Sequence, residues 1–269
     1  GEIPERTYHL LKFSYGYMGA ASPGDISAES WDLLQRATAV FSFAYTRFLD
    51  LQKAEAQTRE AQIELALERV RARTMAMFKS EELAETAAVL FHQLIGLGIV
   101  PNRLFIGIIK DESAEIEAWA TDETGIRLSR RFVLSSNRNN AVKKMYDGWK
   151  SKKKSVIIDV YGKELEDYLH YMNDQIHVPF TIGLDQKRRV QHIAYFSKGL
   201  IGMTSPDEQP PSTINLLERF AGVFNLSYTR FLDLQKAEAQ AKEATIEAAL
   251  EKVRGKAMAM HNSNDLSSA

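Results

Sequence analysis

"YTRFLDLQKAEAQ" occupies residues 45–57 and returns unchanged at 228–240. The match is longer than the quoted run. Phe41–Met77 aligns without gaps on Phe224–Met260, where "AQIELALERVRARTMAM" meets "ATIEAALEKVRGKAMAM". It also reaches backwards: "HLLKFSYGYMGAASP" (9–23) aligns on "HIAYFSKGLIGMTSP" (192–206), keeping Phe13/Phe196, Gly16/Gly199, Gly19/Gly202 and a Ser-Pro pair. Self-similarity at a fixed, long period marks an array of modules. The closing "HNSNDLSSA" aligns on "FKSEELAET" at 78–86, where a module begins. Five segments follow. Residues 1–28 read as the end of one module, 29–79 as a connecting helix and 80–210 as a complete module. Residues 211–262 read as the second connecting helix, and 263–269 as the start of a further module. With Gly1 opening in mid-pattern, the chain reads as an excised fragment.

Composition narrows the chemistry. The 269 residues are 45% hydrophobic and 26% charged, as expected of a soluble globular protein. A net charge of −1 gives no electrostatic reason to expect nucleic acid or an acidic membrane as partner. Without cysteine there is no disulfide, thiolate metal site or cysteine nucleophile, which fits a cytoplasmic setting. No apolar run approaches the roughly 20 residues of a membrane helix, so no membrane contact is expected within this stretch.

Within the complete module the hydrophobic period changes repeatedly. Leu83, Ala87, Leu90, Phe91, Leu94 and Leu97 share one face of a helix, with Ser80 as its expected N-cap. "RLFIGII" (103–109) and "AEIEAWAT" (114–121) read as a hairpin. Val142, Met145, Tyr146 and Trp149 have helical spacing, "SVIIDVY" (155–161) is a strand, and Leu165, Tyr168, Leu169 and Met172 form another helical stripe. "VQHIAYF" and "GLIGMTS" make a second hairpin turning at 197–199. The order predicts an α+β domain, an antiparallel sheet with helices on both faces.

The connectors are long. From about Ser30 to Phe78 and from Ser212 to His261 no proline occurs and strong helix formers dominate. Ile63, Leu67, Val70 and Met77 fall at coiled-coil spacings, and Ile246, Leu250, Val253 and Met260 repeat them. These residues predict the seam of a parallel homodimer. Upstream, Phe41, Ala44, Phe48 and Leu51 form a separate stripe whose phase is broken inside "KAEAQTREAQ". The repeated stretch thus reads as a junction between a domain and its connector.

On these residues, the element order of 80–223 and the junction "YTRFLDLQKAEAQ…ALERVRARTMAM", the chain resembles tandem GAF domains joined by signalling helices in bacterial multi-GAF sensor proteins. The resemblance implies a regulatory module: a central antiparallel sheet, a ligand pocket on one face and a dimerising helix pair on the other, with output passed to a kinase or cyclase domain. The Asn-Lys-Phe-Asp-Glu signature of cyclic-nucleotide-binding members is missing, as is the cysteine that attaches a bilin. The cofactor or ligand stays unknown.

Catalytic motifs are lacking: no glycine-rich phosphate loop, no His-Glu-x-x-His and no Gly-x-Ser-x-Gly, so no enzyme is expected. His92 falls on the polar side of its helix. His170, Asp174 and His177 are too loosely spaced to predict a metal. His9 and His192 are equivalent strand positions with structural roles. The run "KSKKK" (150–154), with Lys143, Lys144, Arg188 and Arg189, reads as a solvated basic surface, with no DNA-binding motif beside it. The candidate pocket is aromatic: Tyr146, Trp149, Tyr168, Tyr171, Phe180 and Tyr195 on the roof, Phe105 and Trp119 on the floor. Two readings stay open here. These side chains line a small-molecule site, or they fill the core and make the domain a mechanical relay.

Overall fold

The computed structural model describes residues 5–128, 131–175, 177–178 and 186–258. The chain divides into two compact units, Gly1–Ile63 and Glu64–Ala269, with the division falling inside a long helix.

The first unit opens with a hairpin, β1 (Thr7–Phe13) and β2 (Gly16–Ser22), paired antiparallel from Thr7↔Ser22 to Phe13↔Gly16. The helix α1 (Ala28–Met75) follows. Ser27 caps it, its hydroxyl accepting from the Ser30 N–H at 3.1 Å. Phe13 meets Phe41 edge-on at 5.3 Å and Tyr45 at 6.2 Å, and Phe41 stacks on Tyr45 at 5.8 Å.

The second unit carries α2 (Leu83–Gly96), β3 (Arg103–Lys110), β4 (Glu115–Ala120), β5 (Phe132–Ser135), α3 (Asn140–Lys150), β6 (Ser155–Tyr161), α4 (Gly162–His170), β7 (Arg188–Phe196), β8 (Gly199–Ser205) and α5 (Pro211–Met258). Its six strands form one antiparallel sheet in the order β5-β4-β3-β8-β7-β6. The two hairpins read from sequence, β3–β4 and β7–β8, are joined edge to edge through β3 and β8, with Phe105 opposite Gly202. Four-residue β5 escaped the sequence reading because it is too short to show a period.

Helices cover both faces of this sheet. On one side α2 lies against β3 and β4, and α5 lies against β7 and β8. Leu83, Ala87, Leu90 and Leu94 of α2 are fully buried, as are Leu217, Phe220 and Phe224 of α5. On the other side α3 packs against β5 and β6, and α4 against β6 and β7. Asn139 caps α3, its side chain accepting from Ala141 N and Val142 N at 3.0 and 3.2 Å. The chain enters α2 through a short 3-10 turn over Ser80–Glu82 rather than through a Ser80 cap. There the Glu82 carboxylate accepts from the N–H groups of Phe78 and Lys79 at 3.0 and 3.1 Å.

The second unit repeats the aromatic ladder of the first. Phe196 meets Phe224 at 4.9 Å and Tyr228 at 6.2 Å, Phe224 stacks on Tyr228 at 5.4 Å, and Tyr228 stacks on Phe231 at 5.7 Å. The repeated "YTRF" is thereby explained: its tyrosine packs on the phenylalanine that ends the first strand of the hairpin. The histidines at equivalent positions match too. Nε2 of His9 lies 2.9 Å from Ser22 Oγ, and the buried His192 uses Nε2 to accept from Gln209 N at 3.1 Å.

The ends of the long helix α1 differ from the sequence expectation in one respect. Leu67, Val70 and Met77 are 4%, 0% and 5% exposed, buried within Glu64–Ala269, and so do not present an open dimer seam. Polar contacts place this end of α1 between α2 and α5: Arg69 donates to Gln93 at 3.2 Å, Arg73 pairs with Glu82 at 3.1 Å and with Glu85, and Arg219 donates to Glu64 at 2.7 Å. Ile63 is half-buried. Ile246, Leu250 and Val253 are exposed, and Met260 lies outside the described residues, as does the expected module start at 263–269.

Burial holds the pKa of His192 below its ordinary value, with the charge of Glu208 acting in the opposite sense. The unfolded chain therefore takes up a proton near pH 6.5 that the folded chain resists. Stability should be constant above that pH and fall as the pH drops below it. Urea denaturation at pH 7.5 and 5.5 should show this loss in the native chain and a smaller one in His192→Asn.

Candidate functional site

The face of the sheet under α3 and α4 is set by the alternation of each strand. On β3, Arg103, Phe105 and Ile109 point to it. On β4 these are Ile116, Ala118 and Ala120, and on β7 they are Arg189, Gln191, Ile193 and Tyr195. Phe105 lies across Gly202, where an added Cβ would come within 2.2 Å of its ring. Glycine there lets the aromatic floor sit flat on the sheet.

A cavity is enclosed between this floor and the roof helices. Phe105, Ala118, Ala120, Phe132, Leu134, Val142, Met145, Met172 and Val178 give it apolar walls, and Arg103, Arg189, Thr204 and Tyr168 bring polar atoms to one end. The free space accessible to the centre of a water molecule is ≈ 30 Å³, room for a water or two.

The polar end is built by register. Arg103 of β3 stands opposite Thr204 of β8, and Thr204 stands opposite Gln191 of β7, so three neighbouring strands present one row. Arg103 and Arg189 are 6% and 4% exposed, and Gln191 is fully buried. Arg103 donates through Nη2 to Glu123 at 2.8 Å. Neither amide atom of Gln191 has a hydrogen-bond partner among the described residues. Burial pushes the Tyr168 phenol above its usual pKa, while the charges of Arg189 and Arg103 and the nearby Gln191 amide pull it back. Desolvation likewise lowers Arg189, with Tyr168 and Glu123 opposing and Arg103 reinforcing. Burying such groups is expensive unless something compensates them.

The structure sorts the sequence candidates. Phe105 and Tyr168 line the cavity. Tyr171 is buried beside it, and its hydroxyl accepts from Ser135 N at 2.7 Å, tying the roof to β5. Tyr146, Trp149 and Tyr195 pack at the other end of the same core, with their polar tips spent on structure. Tyr146 donates to Asp111 at 2.5 Å, Trp149 to the Phe196 carbonyl at 3.2 Å, and Tyr195 to the Met145 carbonyl at 2.8 Å. Trp119 is corrected: it stands opposite Ile106, one residue out of phase with Ala118 and Ala120, on the opposite face of the sheet, where α2 covers β4. Phe180 lies outside the described residues.

Sequence reading missed Arg103 and Gln191 and placed Arg189 on a solvated surface. The available signal was "RRVQHIAY", which puts polar Arg189 and Gln191 in phase with Ile193 and Tyr195 on a strand apolar on both faces. The lysines of 150–154 are exposed, as expected, and Lys150 pairs with Asp111 at 2.6 Å. His92 is exposed, and the side chain of Asp174 lies outside what is described. Among the described residues no group of three or more His, Asp or Glu is placed to hold a metal ion, and no helix is long and apolar enough to cross a membrane.

No protein-family model matches the sequence, and no curated protein matches it. Among solved structures, the chain is similar to the A. aeolicus nlh2 GAF domain in an inactive state, at 10% identity and a TM-score of 0.39, covering 66% of this chain and 99% of that one. It is similar at 10% identity and a TM-score of 0.39 to a methyl-accepting chemotaxis protein, residues 122 to 287, over 62% of this chain and 97% of that one. The GAF domain of an Acinetobacter phosphoenolpyruvate-protein phosphotransferase matches at 8% identity and a TM-score of 0.34, over 61% of this chain and 93% of that one. Likeness at this level carries no functional argument. The six-stranded antiparallel sheet, roofed by α3 and α4 and backed by α2 and α5, is a GAF-like α+β architecture in its own right.

Gly202→Ala should lower stability by about 1–3 kcal/mol through overpacking against Phe105. Trimming the ring with Phe105→Leu in the same chain should recover part of that loss, a coupling readable in a double-mutant cycle by urea denaturation.

Proposed function

We propose that this protein is a regulatory module of a signal-transduction protein, and that the enclosed cavity under α3 and α4 receives a small anionic molecule. The observation that carries the reading is the polar end of that cavity: two buried arginines and a buried tyrosine line an otherwise apolar chamber, and beside them on β7 stands Gln191, whose amide has no hydrogen-bond partner among the described residues. Chambers of this composition orient small ligands through a few polar groups. A carboxylate or phosphate would meet the guanidiniums in charge-assisted hydrogen bonds and give the Gln191 amide a partner. Because ≈ 30 Å³ is too little for such a molecule, binding must move the roof. The roof rests on β6 and β7, β7 packs on α5, and α5 is 48 residues long, so a shift at the ligand has a mechanical path into the helix and towards an output domain. Differential affinity for the two roof positions is all that such a switch requires. The setting we infer is cytoplasmic.

The same small volume favours a second reading, a relay or spacer with a filled core and no ligand. Native mass spectrometry of the purified chain, followed by thermal shifts against a panel of small carboxylates and phosphates, separates the two. The receptor reading expects a retained mass or a stabilising anion, and loss of that stabilisation in Arg189→Gln. An unliganded mass and no shift from any member of the panel leave the relay.

A further inference from the structure

The two copies of the connector carry the same apolar stripe into opposite environments. In the first copy, Ala66, Leu67, Val70, Thr74 and Met77 are the buried positions, and polar contacts place them in the groove between α2 and α5. Their counterparts in the second copy are Ala249, Leu250, Val253, Ala257 and Met260. Four of the five are identical and the fifth is smaller, so nothing at a groove-facing position has outgrown the groove. Exposed Leu65, by contrast, is replaced by Ala248. The charged flanks are kept as well. Glu64, Arg69 and Arg73, which pair with Arg219, Gln93, and Glu82 with Glu85 respectively, recur as Glu247, Lys252 and Lys256. Yet Ile246, Leu250 and Val253 are 44%, 61% and 65% exposed. A helix carrying such a stripe is stabilised by tertiary cover more than by its own propensity.

We propose that the distal stripe of α5 docks into the α2–α5 groove of a further module of this kind, taking there the place that residues 64–77 hold in this one. The interface is head-to-tail: one surface is the stripe, the other the groove, and each module carries both. In the chain described here α1 fills the groove, and Ile246, Leu250 and Val253 of the α5 stripe are uncovered. This inference is independent of any ligand under α3 and α4.

A fluorescent peptide of residues 241–260, added to the full chain carrying Leu67→Asp and Val70→Asp, tests it by anisotropy. The vacated groove should bind this peptide at least roughly 10-fold more tightly than the native chain does, and a peptide with Leu250→Asp and Val253→Asp should not bind. Absence of binding to the vacated groove overturns the proposal. If the aspartates unfold the module, the groove is tested in the intact chain by grafting the second copy onto the first: Gln62→Thr, Leu65→Ala, Arg69→Lys, Ala72→Gly, Arg73→Lys and Thr74→Ala together. A folded graft melting within several degrees of the native chain supports the fit, and an unfolded one overturns it. The rival occupant is a second α5 in a parallel coiled coil. In this cysteine-free chain, Val253→Cys reports it directly: a self-disulfide dimer forming under mild oxidation overturns the groove, whereas a chain that stays uncrosslinked supports it.

Discussion

A helix of 48 residues runs roughly 70 Å, and a module of this size cannot cover it. Any apolar stripe along its whole length must therefore find its cover in pieces. The sequence solves this by dividing the helix into two stripes with a break in phase between them. The proximal stripe, Phe41, Tyr45 and Phe48 or Phe224, Tyr228 and Phe231, is the aromatic ladder that meets the hairpin phenylalanine. The distal stripe is a separate surface, and in its first copy it fills the groove between α2 and α5. One helix thus runs from one compact unit into the other, with the phase break close to the division between them.

The sheet is the other shared element. Its back face holds the helices that carry the connector, and its front face holds the cavity. Strands β3, β4 and β7 are largely buried on both sides, packed between the two helix layers. A polar row placed on the front of such strands is costly, and Arg103, Thr204 and Gln191 sit opposite one another on three of them. A core chosen for stability alone would have filled those positions with aliphatic residues. Their presence sets this end of the domain apart from the rest, where Tyr146, Trp149 and Tyr195 spend their polar tips on backbone and surface partners.

Much of the architecture was legible before any coordinates. Period-two runs gave β3, β4, β6, β7 and β8, and period-3.6 stripes gave α2, α3 and α4. The site was less so. Trp119 and Ala120 are neighbours on a strand with apolar residues on both faces, and alternation then says only that they point apart, not which one meets the cavity. Arg189 looked like a surface charge and Arg103 passed unnoticed at the start of its strand, because sequence registers charge and not burial.

The sequence by itself determined the internal sequence repeat, the α+β class, the two hairpins, the long proline-free helices and the phase break within them. These follow from spacing along a single chain, where side chains a fixed number of residues apart must share a face. Only the tertiary structure decided that Leu67, Val70 and Met77 are covered by their own module while Leu250 and Val253 are not, and that two arginines and a glutamine meet inside the sheet's front face. Identical stripes have identical periodicity. What distinguishes them is which surface lies opposite, and that is set by strand register and helix placement across distances the local pattern does not encode.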